Sequence, residues 1–593
     1  MKNIYIKMTC AISLITMISF IACKKEFLDK QPIGQLSQNV LATKSGANKL
    51  LIGAYSGLEH KSIFGYNSFF AEIASHEAIW GAVWDADANS FENHKGNPAI
   101  GIYSSQWGSF YSAIQRANDV LRLLPLVPAN ELSADEALQL KAEAVFLRAV
   151  VHFRLAKTWL NVPYIDETVT FNAGNYNVPN TTSIWPKIEA DFRFAADNLT
   201  ETKTDAGRAN SWAAKAFLAE VYMHQQKYAE ALPLLTDCIT NGGTASGQKY
   251  KLSDKYWDNF DANTENNAEE VFAIQYTIND GSNANNSNQD DLMFQPMVPV
   301  CAGGGTGACS FDMVNTYKTD PVTGLPLLDT YNDFNITNDQ GLQASDPFTP
   351  YTGTLDPRLD NTVARRGIPL LDWGLFGPYW IYSQADMGCY GWKKFFFNKS
   401  DLGVNSESYG GWTTANNTND ILIRFADILL RAAECEVEVG SLANAEMYVN
   451  MVRARAANPA GWVKTYVDDN DPSKGFTNTP AANYFIGQYT GQFTANGQAY
   501  ARKAVRFERR LELALEGHRF YDLQRWDKGT GSMADELNYI IDHENNHTTA
   551  GFPNLKGVVF TKGKNELYPI PQTEIDLSMV NGKSVLVQNP GYN

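Results

Sequence analysis

The stretch Ala216-Phe217-Leu218-Ala219-Glu220-Val221-Tyr222-Met223-His224-Gln225-Gln226-Lys227-Tyr228-Ala229-Glu230-Ala231-Leu232 decides how the chain is read. Apolar and small residues recur at helical spacing, the polar Gln225-Gln226-Lys227 interrupts them, and the helical pattern then resumes. Residues 211–240 are therefore two helices around a short turn. Residues 421–455 repeat the arrangement: Leu430, Ala433, Cys435 and Val439 lead to Gly440, and Ala443, Ala445, Val449 and Val452 follow. Between the two lies a long segment of different character.

Small residues at the crossings and a large residue before the turn resemble tetratricopeptide repeats. Further helices extend the pattern toward the N-terminus. In 105–124, Trp107, Tyr111, Ile114 and Leu121 mark a buried face. In 136–160, Leu140, Ala144, Leu147, Val151 and Leu155 do the same, until Asn161-Val162-Pro163 stops the helix. The copies are degenerate and far apart, so the expected fold is mainly α, a repeat-like helical scaffold with long loop-rich insertions.

From about 241 to 420, Gly, Asn, Asp, Pro, Ser and Thr dominate and helical periodicity fades. Residues 456–498 form a second loop-rich insertion. Loops of this length in a compact domain are usually functional. The chain has 593 residues, of which 44% are hydrophobic and 19% charged, so a large core is expected. Its 49 basic against 65 acidic residues give a net charge of −16, which argues against nonspecific binding to nucleic acid or to an anionic membrane surface. Trp 13, Tyr 28 and Phe 31 are more aromatics than a minimal core needs.

Two aromatic-polar loop clusters stand out. The first runs from Trp80 to Asn89 and holds Trp84, Asp85 and Asp87; the second includes Trp373, Tyr379, Trp380 and Trp392. Rings in turn-rich loops with carboxylates and amides beside them can form a ligand-binding surface. These residues (Trp80, Trp84, Asp85, Asp87, Asn89, Trp373, Tyr379, Trp380 and Trp392) are the expected ligand-binding set, with Trp84 and Trp380 the leading stacking platforms. Trp462, Tyr466 and Tyr484 of the 456–498 insertion stand in reserve. The competing reading has the same rings packing the loops onto the scaffold. Trp107, Trp159, Trp212 and Trp526 sit in helical patterns and are assigned to the core.

At the N-terminus, Lys2 and Lys7 precede an apolar stretch from Met8 to Ala22, which suits a secretory signal better than a spanning helix. It ends in Phe20-Ile21-Ala22-Cys23, which resembles a bacterial lipobox with Cys23 as the acylated residue. Residues 1–22 are read as signal peptide and 23–36 as lipid anchor and tether. No later apolar run approaches the ~20 residues needed to span a bilayer. Of the remaining cysteines, Cys238 and Cys435 read as small buried hydrophobes. Cys301 and Cys309 bracket a flexible glycine loop, and whether they pair is left open.

Several motifs stand in order along the chain: Cys23 with Phe27-Leu28-Asp29 and Pro32; Glu143-x-x-Phe146-Leu147-Arg148-Ala149 through Trp159; and Asp356-Pro357-Arg358-Leu359-Asp360 through Arg365-Arg366-Gly367-Ile368-Pro369. Ile423-Arg424-Phe425-Ala426-Asp427-Ile428-Leu429-Leu430, the run from Arg506 to Trp526, Tyr568-Pro569-Ile570-Pro571 and the terminal Gln588-Asn589-Pro590-Gly591-Tyr592 complete the set. Together they resemble the SusD/RagB family, the surface-exposed nutrient-binding lipoproteins of Bacteroidetes. The resemblance implies a single SusD-like domain over 37–593: an N-terminal helical half to 240, a ligand-binding insertion over 241–420, and a C-terminal half over 421–593. It also implies an outer-membrane lipoprotein without enzymatic activity, cofactor or metal. Such a protein captures an oligosaccharide, or in the RagB branch a peptide, and sits as a lid over a SusC-like TonB-dependent β-barrel.

Charged residues within 506–526 stand three and four apart, which predicts ion pairs along the helix. Glu508 and Glu512 lie among arginines, so ion pairing rather than acid–base chemistry is expected of them. The rival chemistry is His543-Glu544-Asn545-Asn546-His547, which matches the H-E-x-x-H of zinc peptidases, with Glu566 placed for a third ligand. Its weakness is the helix-ending sequence that follows and the position of Glu566 just before Tyr568-Pro569.

Overall fold

The computed structural model describes residues 41–593 except 60–62, 83–84, 284, 289–295, 298–306, 410–412, 547–551 and 593. The expected signal peptide, Cys23 and the tether lie outside the described residues. So do Trp84, Cys301 and His547.

The N-terminal half comprises α1 (Lys44–Tyr55), α2 (Gly65–Ala74), β1 (Ala78–Trp80), α3 (Ala86–Glu92), α4 (Gly101–Leu123), α5 (Ala134–Trp159), α6 (Trp185–Asn198), α7 (Ser211–His224) and α8 (Tyr228–Asn241). Local chemistry sets several of the helix ends. Ser133 caps α5 in a reciprocal capping box with Glu136. Leu160, with φ of 63°, takes the chain out of α5 just before Asn161-Val162-Pro163. The α7–α8 hairpin closes at Gln226, with φ of 58°, and Ala213, Ala219 and Ala231 are buried in its helices.

After β2 (Glu270–Ile274), β3 (Gly307–Cys309) and α9 (Phe311–Asn315), the chain runs through short turns and strands. These include β4 (Pro369–Leu370) and β5 (Gly374–Leu375). The C-terminal half holds β6 (Asp420–Arg424), α10 (Phe425–Val439), α11 (Leu442–Ala456), β7 (Lys464–Tyr466), β8 (Phe476–Pro480), α12 (Gln492–Leu513, broken at Gly497 with φ of 80°), α13 (Arg519–Asp527) and α14 (Ser532–Asn546). Strands among the described residues form two-stranded pairings, such as β2 with β6.

The two hairpins that are far apart in sequence are neighbours in space. Helices α4 to α8 pack in order, α8 packs on α10, and α10, α11 and α12 pack on one another. One helical stack therefore runs through both halves, and the intervening 241–420 segment packs back onto it through β2, Arg358 and Lys394. No helix among the described residues is long and apolar enough to cross a membrane.

A buried ion network ties the motifs together. Glu512 of α12 pairs with Arg358 (2.9 Å), Arg424 (2.5 Å) and Arg455. Glu508 pairs with Arg358 and Arg453, both at 2.8 Å, and Glu516 with Arg424 (2.8 Å) and Lys394 (2.6 Å). Arg509 meets Asp427 (2.7 Å) and Asp522 (3.0 Å), while Arg510 meets Glu77 (2.7 Å) and Asp312. The pairing expected along 506–526 holds between Asp522 and Arg525 (2.8 Å), whereas the α12 charges reach other elements, because that helix is buried and its neighbours supply the counter-charges. A second junction joins α5 to the C-terminus, where Trp159 Nε1 donates to Pro569 O (2.9 Å) and Asn589 Nδ2 donates to Trp159 O (3.0 Å).

Candidate ligand-binding face

The two predicted aromatic clusters fare differently. Trp80 lies in β1, which pairs with β3, and is only 1% exposed. Its backbone N–H donates to Glu92 (2.8 Å) and its carbonyl accepts from Asn554 (2.8 Å). Asp85 caps α3 by accepting from the N–H groups of Asp87 and Ala88, both at 3.1 Å. Asn89 is buried, donating to Ala82 O (3.1 Å) and accepting from Asn554 (2.8 Å). Only Asp87 of these described residues is exposed. The structure thus corrects the expectation for Trp80 and Asn89, which strand pairing and buried hydrogen bonds occupy, while Asp85 is half-buried with one carboxylate oxygen on the α3 cap and stays a candidate.

Trp392 is also corrected. It pairs with Val363 across a short antiparallel ladder and is 3% exposed, inside the core. The remaining members of the second cluster come together at the surface. Trp373 is half-buried, with its indole Nε1 held by Phe397 O at 2.8 Å. Trp380 is half-buried, its ring edge-on to Phe376 at 5.6 Å and 82°. Tyr379 is 79% exposed and Tyr382 57%.

These rings share their face with the second insertion, which reaches it through Tyr466. The Tyr466 hydroxyl donates to Leu371 O (2.6 Å) and accepts from Gly374 N–H (3.1 Å), joining β7 to the β4–β5 turn. Tyr466 stacks on Phe476 of β8 at 5.1 Å and 29°, and Phe476 is 48% exposed. Gly374 has φ of 133°, and a Cβ there would lie 3.7 Å from Trp380 and 3.9 Å from Pro472. Both insertions therefore reach the same small patch. Asp372 is fixed by the amides of Lys399 (2.5 Å) and Ser400 (3.0 Å), and Lys474 pairs with Asp468 (2.7 Å) on the β7–β8 loop. Phe476 is hard to single out from sequence because it stands alone in a polar strand, Phe476-Thr477-Asn478-Thr479-Pro480. Its flanking turn residues are the available signal.

The H-E-x-x-H stretch has a local structural job at its described end. Glu544 accepts from the backbone N–H groups of Phe311 (3.2 Å) and Asp312 (2.7 Å), which open α9, and His543 Nδ1 lies 3.3 Å from the same carboxylate. Glu566 Oε1 accepts from Gly563 N–H (2.9 Å). Among the described residues, no group of three or more His, Cys, Asp and Glu side chains is placed to hold a metal ion. Cys238 and Cys435 are buried within helices, and Cys309 is a buried free thiol in β3.

Comparison with known proteins matches the C-terminal part of the chain, residues 268–592, to the family model described as the SusD family. Residues 26–223 match the model described as starch-binding, associating with outer membrane. Among curated relatives, SusD-like protein P25 of Formosa agariphila is 25% identical over 545 residues, covering 86% of this chain and 88% of that one. A solved SusD superfamily protein from Bacteroides vulgatus superposes with a TM-score of 0.64 at 20% identity, covering 92% of this chain and 98% of that one. A solved laminarin binding SusD-like protein is 25% identical, with a TM-score of 0.57, covering 93% of this chain and 100% of that one.

Proposed function

This chain belongs to the SusD family, and from that premise we propose that it is a non-enzymatic cell-surface lipoprotein that captures an oligosaccharide and delivers it to a TonB-dependent outer-membrane transporter. The observation that carries the reading is the convergence of the two insertions on one exposed aromatic patch. Half-exposed indoles and phenols with carboxylates and amides beside them are what sugar rings and hydroxyls require. The laminarin-binding structure among its likenesses points the same way. Trp373, Tyr379 and Trp380, with Phe476, are assigned as the platform; Trp84, Asp85 and Asp87 remain candidates from the first cluster.

The test is binding of the mature chain to a panel of laminari-oligosaccharides, other glucans and peptide pools, by calorimetry. A stacked aromatic at the centre of a patch contributes about 2 kcal/mol or more, so Trp380→Ala should weaken glycan binding by about thirtyfold. Binding to peptides alone, or a variant that binds glycan like the parent, defeats the reading.

Anchoring is proposed through Cys23, with residues 1–22 removed and 23–36 as tether, on the outer face of the outer membrane. The partner in this reading is a SusC-like β-barrel over which the domain sits. Cys23→Ala should abolish metabolic labelling with palmitate and release the protein from the membrane; unchanged labelling removes the anchor from the scheme.

A further inference from the structure

We propose that a second site, for a sugar-sized ligand carrying one oxyanion, lies between α12, α13 and α14, with Arg506 as its anchoring cation. A cavity of about 490 Å³ opens there, in the size range of small-ligand sites. Its walls combine apolar side chains, among them Leu328, Phe507, Leu523 and Trp526, with a concentration of cations.

Most of those cations are already neutralised. Arg502 pairs with Glu438 (2.6 Å), Lys503 with Asp329, Arg519 with Glu536 (2.7 Å), and Arg510 with Glu77 and Asp312. Arg506 differs. Among the described residues it has no ion pair, and its Nε is buried without a hydrogen-bond partner. Its guanidinium lies 4.6 Å from the centre of the Trp526 ring, and that ring is fixed by its own Nε1 donating to Glu434 at 2.9 Å. Burial pushes the Arg506 pKa down, a cost that an incoming anion would offset. A planar guanidinium held against an aromatic face is preorganised for bidentate contact with a carboxylate or sulfate.

Arg506 feels Glu434 and Glu438 nearby but makes no ion pair with either, so its guanidinium is left to take up an anion from outside the protein. The apolar lining calls for that anion to be carried on a body with a hydrophobic face, and a sugar ring meets both demands. The choice of a sugar as carrier rests on the glycan reading above; the oxyanion does not. The aromatic patch and this cavity are built from different residues, so the two can fail separately.

The experiment titrates the mature chain with glucuronate, glucose 6-sulfate, glucose and inorganic sulfate by calorimetry and thermal shift. Glucuronate or glucose 6-sulfate, whichever anion the cavity accepts, should bind, with glucose at least about tenfold weaker. Arg506→Gln should lose at least about tenfold in affinity, Arg506→Lys should recover part of it, and Trp380→Ala should leave it unchanged. Because Arg506 makes no ion pair among the described residues, its substitution should leave the melting temperature close to the parent's. The proposal is overturned if neither acidic sugar binds better than glucose, or if Arg506→Gln binds like the parent. Inorganic sulfate binding as tightly as the acidic sugars, an adventitious ion only, overturns it too.

Discussion

The buried network on α12 and the aromatic face of the two insertions are both dense in residues that the sequence singles out, yet they obey opposite rules. Around Glu508, Glu512 and Glu516 every carboxylate is held by cations from two or more other segments, and these side chains are essentially unexposed. On the face, Tyr379 and Phe476 are open to solvent, and Trp373 and Trp380 are half-buried. The difference separates two kinds of motif. The Asp356-Pro357-Arg358, Arg424 and Arg506-to-Trp526 motifs mainly tie helical halves together. The insertions between them carry the rings that a ligand can reach.

The largest effect should come from the network. Buried ion pairs are not in themselves strongly stabilising, but removing one partner strands the others, at a cost of about 3–5 kcal/mol. Glu512→Gln, which leaves Arg358, Arg424 and Arg455 without their shared carboxylate, should lower stability to denaturant by that amount or prevent folding. Acid makes the same perturbation. Burial pushes the Glu512 carboxyl up, but Arg455, Arg424 and Arg358 outweigh it and hold its pKa well below the usual range. Asp427 is likewise pushed up by burial and pulled down further by Arg431 and Arg509, to about 2. A depressed native pKa means that the unfolded chain binds more protons. The stabilisation is therefore complete above pH ~4.5 and is lost progressively as pH falls toward 2. Urea titrations from pH 6 to 3 should show the parent losing stability more steeply than Glu512→Gln. Equal slopes would show that the network is not what acid attacks.

How far the sequence discloses these regions follows from the range of the interactions. Helical periodicity is local, so the faces at Trp107, Leu140 and Leu430, the stop at Asn161-Val162-Pro163 and the hairpin at Gln226 are all legible in the residues themselves. Ion pairing across the fold is not local. Arg509 has Glu512 and Glu516 nearby on its own chain, but its partners are Asp427 and Asp522, on α10 and α13. Trp80 fails for the same reason. Its polar neighbours suggest a surface loop, and the strand that buries it begins at Gly307. The joint face is half legible, because composition marks both insertions as loop-rich. The Tyr466 hydrogen bonds that bring them together cross about a hundred residues and leave no periodic trace.

The smallest effect on stability, and the sharpest test of the contrast, lies at Tyr379. Its ring is 79% exposed on a short turn, Pro378–Trp380, and none of the described residues stacks on it. Surface substitutions away from caps, ion networks and special backbone conformations usually change stability by no more than about 0.5 kcal/mol. Tyr379→Ala should therefore melt with the parent, within roughly a degree or two for a chain of this size. If the face binds glycan, the same substitution removes a stacking surface that no internal contact needs, and affinity should fall several-fold. The two readouts must diverge: a melting temperature that drops together with affinity would show that Tyr379 braces the loop. The face would then be packing like the network, and the contrast between the regions would fail.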